Sequence, residues 1–354
     1  MRKKALITDD SILMHALLRD LFRKLDFEID VAYNGKEAVQ KATSTQYDII
    51  TMDVTMPVMD GITAVKEIMR INPTPILMVS ALTTSDADVT IEALREGAVD
   101  YISKPSANNF EDSEVNREIL LKIKSISSIP KDRLRTKKTQ ERFTPSIKTE
   151  NKIESRPAVE HGNKVNKVVL VGSSTGGPGL IETLCKNIPH NYPYPICIVQ
   201  HMPAAFTKSF ASRLSSISSL PVHEVSDGML FESGNIYIAK GGSHLHFVKE
   251  HSQRVSLKVY PKSDVKLFLP SVDEVFNSAL TAFSGSQLLG VLLTGIGDDG
   301  AKGMLAIKNA GGMTIGESES SAQVYGMPRV AYEIGGVSKQ LPFSDILREV
   351  QNFS

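Results

Sequence analysis

The sequence contains little cysteine, no excess of either charge and no long apolar run. The 2 cysteines, Cys185 and Cys197, are too few for a disulfide framework and lie in apolar contexts typical of core residues, which favours a reducing compartment. Lys and Arg together number 40, and Asp and Glu also number 40. This balance gives no indication of nucleic acid or an anionic membrane as an overall partner.

Apolar segments are short throughout the chain. None approaches the roughly 18 residues of a membrane-spanning helix. The apolar stretch that follows the basic residues after Met1 is interrupted by Asp9 and Asp10, too early for a secretory signal peptide. We therefore expect a cytoplasmic protein that does not insert into a membrane and does not bind nucleic acid.

The apolar pattern divides the chain into two structured parts. At 354 residues the chain is too long for one average core. Strand and helix patterns alternate over residues 1–126 and again over 164–354, whereas 127–163 is charged and has few apolar residues. We interpret 127–163 as a flexible linker. A nucleic-acid-binding arm is the alternative, but acids are interspersed among its basic residues and aromatics are nearly absent.

Residues 1–126 carry five strand patterns that alternate with helical ones. The strand patterns lie at Ala5–Thr8, Ile29–Ala32, Asp48–Met52, Ile76–Val79 and Tyr101–Ile102, and the helical ones begin at Ser11 and lie near 35–44, 62–70, 86–96 and 113–126. Asp10 or Ser11 is a suitable N-cap for the first helix. The alternation predicts a parallel, doubly wound, flavodoxin-like sheet.

Charged and polar side chains follow four of these strands. Asp9 and Asp10 follow the first strand and Asp53 follows the third. In a sheet of order 2-1-3-4-5 these ends border one crevice, and three crowded carboxylates favour a hard divalent cation such as Mg²⁺. Ser80 follows the fourth strand and Lys104 the fifth, so an anion bridged to the cation would face both. Singly, such residues are usually caps or turns, but the ordered set indicates a site.

These residues resemble the receiver domain of two-component response regulators. The matching segments, over about residues 3–124, are Asp9-Asp10-Ser11, the run from Asp53 to Gly61, Ser80-Ala81 and Lys104-Pro105. The resemblance implies that Asp53 accepts a phosphoryl group from a histidine kinase. It also implies that Asp9, Asp10 and Asp53 hold Mg²⁺, with the backbone carbonyl of Thr55 as a further ligand.

The receiver resemblance further implies a conformational switch. An aspartyl phosphate adds negative charge that Ser80 and Lys104 can bind, and Ser80 and Tyr101 are the residues expected to move. Phosphorylation would thereby favour one of two conformations of the loops at this face of the domain.

The second part of the chain also alternates strands and helices. Its strand patterns lie at Val168–Val171, Ile196–Val199, Ile236–Ala239 and Leu288–Thr294, and its helical patterns near 178–187, 204–216, 271–283 and 299–310. This predicts a second doubly wound α/β domain.

A Gly-x-Ser-x-Gly turn directly follows the first of these strands. Such a turn lifts the hydroxyl of Ser174 out of a tight bend and leaves backbone N–H groups beside it. A nucleophilic serine needs a general base, and the base needs an orienting partner. His201 and Asp299 each lie just past a strand, on the edge where α/β sheets build sites. The order Ser…His…Asp differs from that of α/β-hydrolases and indicates convergence on another fold.

Other interpretations exist for these motifs. The glycine-rich turn could cradle a nucleotide phosphate, although no acidic residue follows at a strand end about 20 residues later. The run 297–300 could be a plain turn or a cation loop. His244 and His246 share one strand face but lack further obvious metal ligands. On the residues alone, the second domain could also be a regulatory binding module without catalysis or an NAD(P)-linked reductase.

The set of motifs resembles the catalytic domain of the chemotaxis protein-glutamate methylesterases. The matching segments, over about residues 165–348, are Val171 to Gly177, Gln200-His201-Met202-Pro203 with Phe206-Thr207, Tyr237 to Gly242, Leu293 to Gly300 and Tyr325-Gly326-Met327-Pro328. This chain departs from the pattern at Lys240, where proline is usual, at Ile296, where methionine is usual, and at Glu317-Ser318-Glu319, where a glutamine-aspartate stretch is typical.

The resemblance implies a phosphorylation-activated serine hydrolase of bacterial chemotaxis. Ser174 would be the nucleophile, His201 the general base and Asp299 its orienting group. The backbone N–H of Thr175 or Ile296 would donate to the oxyanion. The substrate would be glutamate methyl esters on the cytoplasmic helices of methyl-accepting chemoreceptors, with glutamine deamidation as a side activity and no cofactor for the ester reaction. The unphosphorylated receiver domain would cover the active-site edge.

Overall fold

The computed structural model describes residues 2–81, 83–104, 113–134, 165–250, 254–261 and 269–353. Pro105 and residues 135–163 of the predicted linker lie outside these ranges. Within the described ranges, no helix combines the length and the apolar character needed to cross a membrane.

The first sheet has five parallel strands joined by helices. The strands are β1 (Lys4–Thr8), β2 (Glu28–Ala32), β3 (Ile49–Asp53), β4 (Ile76–Ser80) and β5 (Asp100–Ser103), and the helices are α1 (Ile12–Lys24), α2 (Gly35–Ser44), α3 (Gly61–Ile71), α4 (Thr84–Arg95) and α5 (Ser113–Ile126). The strand order β2-β1-β3-β4-β5 confirms the predicted fold. Every residue of β3 and β4 is buried, as expected for central strands covered on both faces. Ser11 is the N-cap of α1.

The second domain contains the remaining strands and helices. The strands are β6 (Val168–Ser173), β7 (Ile196–Gln200), β8 (Val222–Glu224), β9 (Met229–Leu230), β10 (Ile236–Ile238), β11 (Ser243–Lys249), β12 (Val255–Pro261), β13 (Leu288–Leu292), β14 (Met313–Glu317) and β15 (Lys339–Leu341). The helices are α6 (Gly177–Asn187), α7 (Ala204–Ile217), α8 (Val272–Ala282), α9 (Ala301–Asn309), α10 (Met327–Glu333) and α11 (Phe343–Gln351).

Seven of these strands form a parallel sheet of order β15-β14-β13-β6-β7-β10-β8. The first strand, β6, lies between its sequence neighbour β7 and the much later β13. The strand order therefore reverses beside β6, and the loops after β6, β7 and β13 open on one crevice. This is the edge on which the sequence places Ser174, His201 and Asp299.

A small antiparallel sheet, β11-β12-β9, was not predicted from the sequence. His244 and His246 of β11 both approach Glu274 of α8, in line with the expected shared face. His246 Nε2 lies 3.8 Å from Glu274 Oε2, and His244 Nδ1 contacts the same oxygen. Within the described ranges, the one set of three or more candidate metal ligands is the Asp9, Asp10 and Asp53 group.

The described start of the predicted linker is packed against the protein. Ile129 and Leu134 are buried, and Lys131–Arg133 form a short 3₁₀ turn. The guanidinium of Arg133 lies 3.6 Å from the Glu319 carboxylate of the second domain. Ser127 and Ser128 instead accept hydrogen bonds from Lys3 of the first domain, so this segment contacts both domains.

Candidate active site and receiver site

Three carboxylates meet at the carboxyl edge of the first sheet. Asp9 follows β1, Asp10 is next to it, and Asp53 ends β3; ligand oxygens of the three lie within 4.8 Å of one another. Lys104 Nζ, just after β5, lies 2.8 Å from Asp53 and 3.4 Å from Asp9. A single ammonium leaves this group of acids with an excess of negative charge. The residues therefore fit Mg²⁺, which prefers carboxylate oxygens.

The pKa of Asp53 reflects its burial and, to a lesser extent, the neighbouring acid. Burial raises it, the hydrogen bond and charge of Lys104 lower it, and the charge of Asp9 raises it again, so that it reaches about 6 from its ordinary 3.8. Asp53 is 3% exposed, while Asp10 is exposed. A bound divalent cation would stabilise the ionised carboxylate against both the burial and the repulsion from Asp9 that raise this pKa.

The predicted switch residues lie around these acids. Ser80 ends β4, and its hydroxyl accepts a hydrogen bond of 2.9 Å from Thr90 of α4. Tyr101 lies in β5, is buried, and has its pKa raised well above the ordinary value by that burial. Thr55 is exposed in the loop after β3, two residues beyond Asp53.

In the second sheet, strand register brings the serine and histidine together. β6 and β7 pair so that Ser173 lies opposite Gln200, and the next residues are Ser174 and His201. The N–H of His201 donates to the carbonyl of Ser173 at 3.1 Å, and the N–H of Ser174 donates to the carbonyl of Thr294 at 3.0 Å. The second of these bonds ties the serine turn to the loop that carries the aspartate.

The side chains of His201 and Asp299 are hydrogen-bonded to each other. His201 Nε2 lies 2.8 Å from Asp299 Oδ2. Asp299 also accepts from the Ser271 hydroxyl at 3.0 Å and from the backbone N–H groups of Val272 and Asp273 at 2.7 and 3.0 Å, at the N-terminus of α8. A helix N-terminus favours a negative charge.

This environment keeps Asp299 ionised. Burial alone would raise its pKa, but the hydrogen bond and charge of His201 and the N–H donors of Asp273 and Val272 outweigh burial and hold the pKa below its ordinary value. An ionised carboxylate at this position can orient an imidazole and stabilise its protonated form.

The two predicted oxyanion donors also border Ser174. Among the hydrogen bonds between described residues, neither the N–H of Thr175 nor that of Ile296 acts as a donor. The Ile296 loop packs closely on the serine, since a Cβ on Gly295 would lie 2.9 Å from the Cβ of Ser174. Neither N–H is thus engaged by another residue of the described ranges.

Comparison with known proteins places the chain in a family. The family model described as CheB methylesterase matches residues 169–350, and the model described as response regulator receiver domain matches residues 5–112. The chain belongs to the CheB methylesterase family. A protein-glutamate methylesterase/protein-glutamine glutaminase of Archaeoglobus fulgidus is 39% identical over 99% of this chain and 97% of its own length. A second such protein, from Carboxydothermus hydrogenoformans, is 43% identical over 97% of this chain and 96% of its own.

A solved structure agrees with the fold of the second domain. The crystal structure of the Thermotoga maritima CheB methylesterase catalytic domain is 37% identical, covers 53% of this chain and 99% of its own, and has a TM-score of 0.51.

In this CheB methylesterase family member, the receiver domain contacts the serine turn directly. Asp100 accepts a hydrogen bond from the Thr175 hydroxyl, and the carbonyl of Val99 accepts one from the N–H of Gly176 at 3.3 Å. Asp100 is also 3.3 Å from Lys122 Nζ within the receiver. The receiver therefore holds two consecutive residues of the turn that presents Ser174.

A second contact reaches the helix that follows His201. The ring of Tyr101 stacks on that of Phe206 in α7, with centroids 4.5 Å apart and planes 5° apart. Beside it, Arg95 of α4 lies 3.5 Å from Glu182 of α6, which is also 3.5 Å from Arg213 of α7. A predicted switch residue, Tyr101, thus lies in the interface between the domains.

Several residues of the site were not singled out from the sequence. Ser271 supports Asp299, and the pattern Ser271-x-x-Glu274 before an apolar run is a signal for a helix N-terminus that could have located it. Asp100 has no such signal, because its partner in the second domain is distant in sequence.

Proposed function

We propose that this chain is a phosphorylation-activated protein-glutamate methylesterase. It would consist of a receiver domain at 1–126, a linker at 127–163 and a catalytic domain at 164–354. The observation that carries the proposal is the bonded pair of His201 and Asp299 at the sheet edge, beside Ser174 by strand register. The names of its relatives in the CheB methylesterase family support the same activity.

Ser174 would attack the γ-carbonyl carbon of a glutamate methyl ester. Because Asp299 engages Nε2 of His201, the other ring nitrogen, Nδ1, takes the serine proton and returns it to the leaving methanol. Water, activated by the same imidazole, then hydrolyses the acyl-enzyme and frees the glutamate. General base catalysis of this kind contributes on the order of 10²–10⁴ in rate.

The oxyanion formed in this attack would be bound by the N–H groups of Thr175 and Ile296. Each such donor contributes about 10²–10³ in kcat. The same site would attack the amide carbonyl of glutamine and release ammonia, which yields glutamate. Deamidation is therefore the expected second reaction, and it agrees with the glutaminase part of the relatives' names. Neither reaction calls for a cofactor, since the three side chains and two N–H groups supply the chemistry.

The receiver domain would take a phosphoryl group from a histidine kinase onto Asp53. Mg²⁺ held by Asp9, Asp10, Asp53 and the Thr55 carbonyl would neutralise charge on the phosphoryl oxygens during transfer. Lys104, already bonded to Asp53, would pair with the new phosphate. Ser80 would turn toward it and release the hydrogen bond from Thr90.

Unphosphorylated receiver would restrain the catalytic site through its interface. Asp100 and Val99 hold the serine turn, and Tyr101 packs against Phe206 in the same contact. Movement of Ser80 and Tyr101 on phosphorylation would weaken this docking. Each ~1.4 kcal/mol of lost docking free energy changes the open population by at most about tenfold.

The substrates would be methylated glutamates on the cytoplasmic helices of methyl-accepting chemoreceptors, and the reaction would take place in the cytoplasm. The buried thiols of Cys185 and Cys197, both free, suit that compartment. An extended helical substrate could reach Ser174 once the receiver has undocked.

A methanol-release assay tests the proposal. Methylated receptor membranes are incubated with the full chain, with and without acetyl phosphate and Mg²⁺. We expect methanol release that rises with the phosphodonor, no release by Ser174→Ala, and release without stimulation by Asp53→Asn. Release that persists in Ser174→Ala, or none by the unaltered chain, would overturn the proposed chemistry.

A further inference from the structure

Gln200 joins the nucleophile and the base through a single buried amide. It is the last residue of β7 and is 2% exposed. Its Nε2 donates to the backbone carbonyls of Ser174 at 2.9 Å and His201 at 3.2 Å, and its Oε1 accepts from the Ser173 hydroxyl at 2.7 Å. Both ends of the amide are therefore used, and two of its three bonds end on peptide units of the proposed catalytic residues.

The bond to the Ser174 carbonyl has a consequence for the oxyanion site. That carbonyl belongs to the same peptide unit as the N–H of Thr175, and in a trans peptide the two groups point in opposite directions. A second donor, the N–H of Gly177, also binds the Ser174 carbonyl at 2.9 Å. Two donors at the carbonyl edge of this peptide thus direct the Thr175 N–H away from them, at the opposite edge.

The chain leaves room for this amide. A Cβ on Gly177 would lie 2.3 Å from Gln200 Oε1 and 2.8 Å from the Cβ of Ser173, so a larger residue would displace the glutamine. Because Gly177 also supplies the second donor to Ser174, the start of α6 and the end of β7 act together on the same peptide plane.

We propose that Gln200 is a positioning residue that fixes the peptide plane of the Thr175 oxyanion donor and holds it in register with His201. This inference rests on the proposed esterase function. Gln200 touches no reacting atom, so it acts on kcat through the direction of the Thr175 N–H. None of its three hydrogen bonds reaches the side chain of His201 or Asp299, so the ion pair itself stays in place.

The test is Gln200→Glu in the full chain. The variant keeps an acceptor for Ser173 but replaces Nε2 with an oxygen that repels the two carbonyls. We expect kcat for methanol release to fall by about 10- to 100-fold, up to the lower limit of the roughly 10²–10³-fold loss for a whole oxyanion donor, with KM within about twofold. The pH at which kcat is half-maximal is measured in the uncharged variant Gln200→Met, where it stays unchanged because no charge is added beside His201.

Ser173→Ala is the matched control. It removes the hydroxyl bonded to Oε1 but leaves both Nε2 bonds, so we expect kcat within about threefold of the unaltered chain. Active sites are counted by fluorophosphonate labelling, so that kcat refers to folded, competent protein. If Gln200→Glu does not fold, Gln200→Met, which keeps length without charge, carries the same prediction.

Two results would overturn the inference. One is a Gln200 variant whose kcat per labelled site stays within twofold of that of the unaltered chain. The other is a fall in kcat in Ser173→Ala as large as that in the Gln200 variant. Failure of the esterase function itself is distinguishable, since the unaltered chain would then release no methanol and take no label at Ser174.

Discussion

Thr175, the residue after Ser174, donates its hydroxyl to Asp100, which belongs to the receiver domain and lies 75 positions earlier. The bond joins the regulatory sheet to the turn that presents the proposed nucleophile. Asp100 is anchored on its own side by Lys122, whose ammonium also donates to the carbonyl of Tyr101 at 2.7 Å. The position of β5 is therefore transmitted to the catalytic turn by a few direct contacts.

Thr175→Val should reduce the dependence of activity on phosphorylation. Valine keeps the branched shape but cannot donate to Asp100, which retains Lys122 as a partner. Loss of one hydrogen bond to a charged group, worth about 1.5–3 kcal/mol, weakens docking of the unphosphorylated receiver. We expect the ratio of methanol-release rates with and without acetyl phosphate to fall at least fivefold. The ratio cancels any effect on the chemistry itself, and an unaltered ratio would show that this bond does not restrain the enzyme.

Arg95→Glu should raise the basal rate from outside the catalytic turn. The substitution places a carboxylate against Glu182, which Arg95 now approaches at 3.5 Å across the interface. Repulsion there favours the undocked state, so we expect methanol release without phosphodonor to rise several-fold.

Arg70→Glu is the matched control for this charge reversal. Like Arg95, Arg70 pairs with a glutamate three residues earlier on a receiver helix, but its side chain is 69% exposed. The basal rate of methanol release by Arg70→Glu should equal that of the unaltered chain. An equal rise in both variants would point to general destabilisation of the receiver.

Asp53→Asn should stabilise the chain in EDTA at pH 8. Since the folded-state pKa of Asp53 is raised from 3.8 to about 6, the folded protein loses stability as pH rises through this range, by up to roughly 3 kcal/mol. Asparagine carries no such penalty. The advantage of the variant should shrink toward zero as pH falls to about 4.

Urea unfolding at pH 4 and pH 8 measures this difference. Mg²⁺ should raise the unfolding midpoint of the unaltered chain at pH 8 and have a smaller effect on Asp53→Asn. A variant that is less stable than the unaltered chain at pH 8 in EDTA would contradict the account of the acidic cluster.

Ser271→Ala should lower both stability and activity. Its hydroxyl caps α8 and donates to Asp299, so its removal costs about 1 kcal/mol of folding free energy and raises the pKa of Asp299. We expect kcat/KM to fall about three- to tenfold. Ser284→Ala, which removes the cap of a 3₁₀ turn at the opposite end of β13, should cost similar stability with no loss of activity. Equal kcat/KM in Ser271→Ala and Ser284→Ala would show that Ser271 does not help to hold Asp299.

Local sequence patterns were sufficient to predict the fold of the first domain and, in the second, the strands that precede the site residues. The five strands of the first sheet and the strands before Ser174, His201 and Asp299 follow from apolar periodicity, which reports burial along one element. The sequence left Asp10 and Ser11 both open as the cap of α1, and Ser11 is the one observed. Because the carboxyl ends of parallel strands share an edge, these patterns also place the three side chains on one rim.

What the sequence did not reveal depends on pairing between distant segments. The β11-β12-β9 sheet includes a strand of only two residues, Met229–Leu230, too short to show a period. β14 ends in Glu317, a fully buried carboxylate that accepts from the Thr294 N–H, and a charged residue there masks the strand pattern. The contacts of Gln200, Ser271 and Asp100 are tertiary, and no single-sequence pattern specifies such partners.

The most direct test of the central claim is covalent labelling of Ser174. The full chain is treated with acetyl phosphate and Mg²⁺, reacted with a fluorophosphonate and digested, and the modified residue is located by mass spectrometry. The account predicts one adduct per chain, on Ser174, with greatly slowed labelling in His201→Ala and none in Ser174→Ala. An adduct on the neighbouring Ser173, or methanol release by a chain that takes no label, would contradict it.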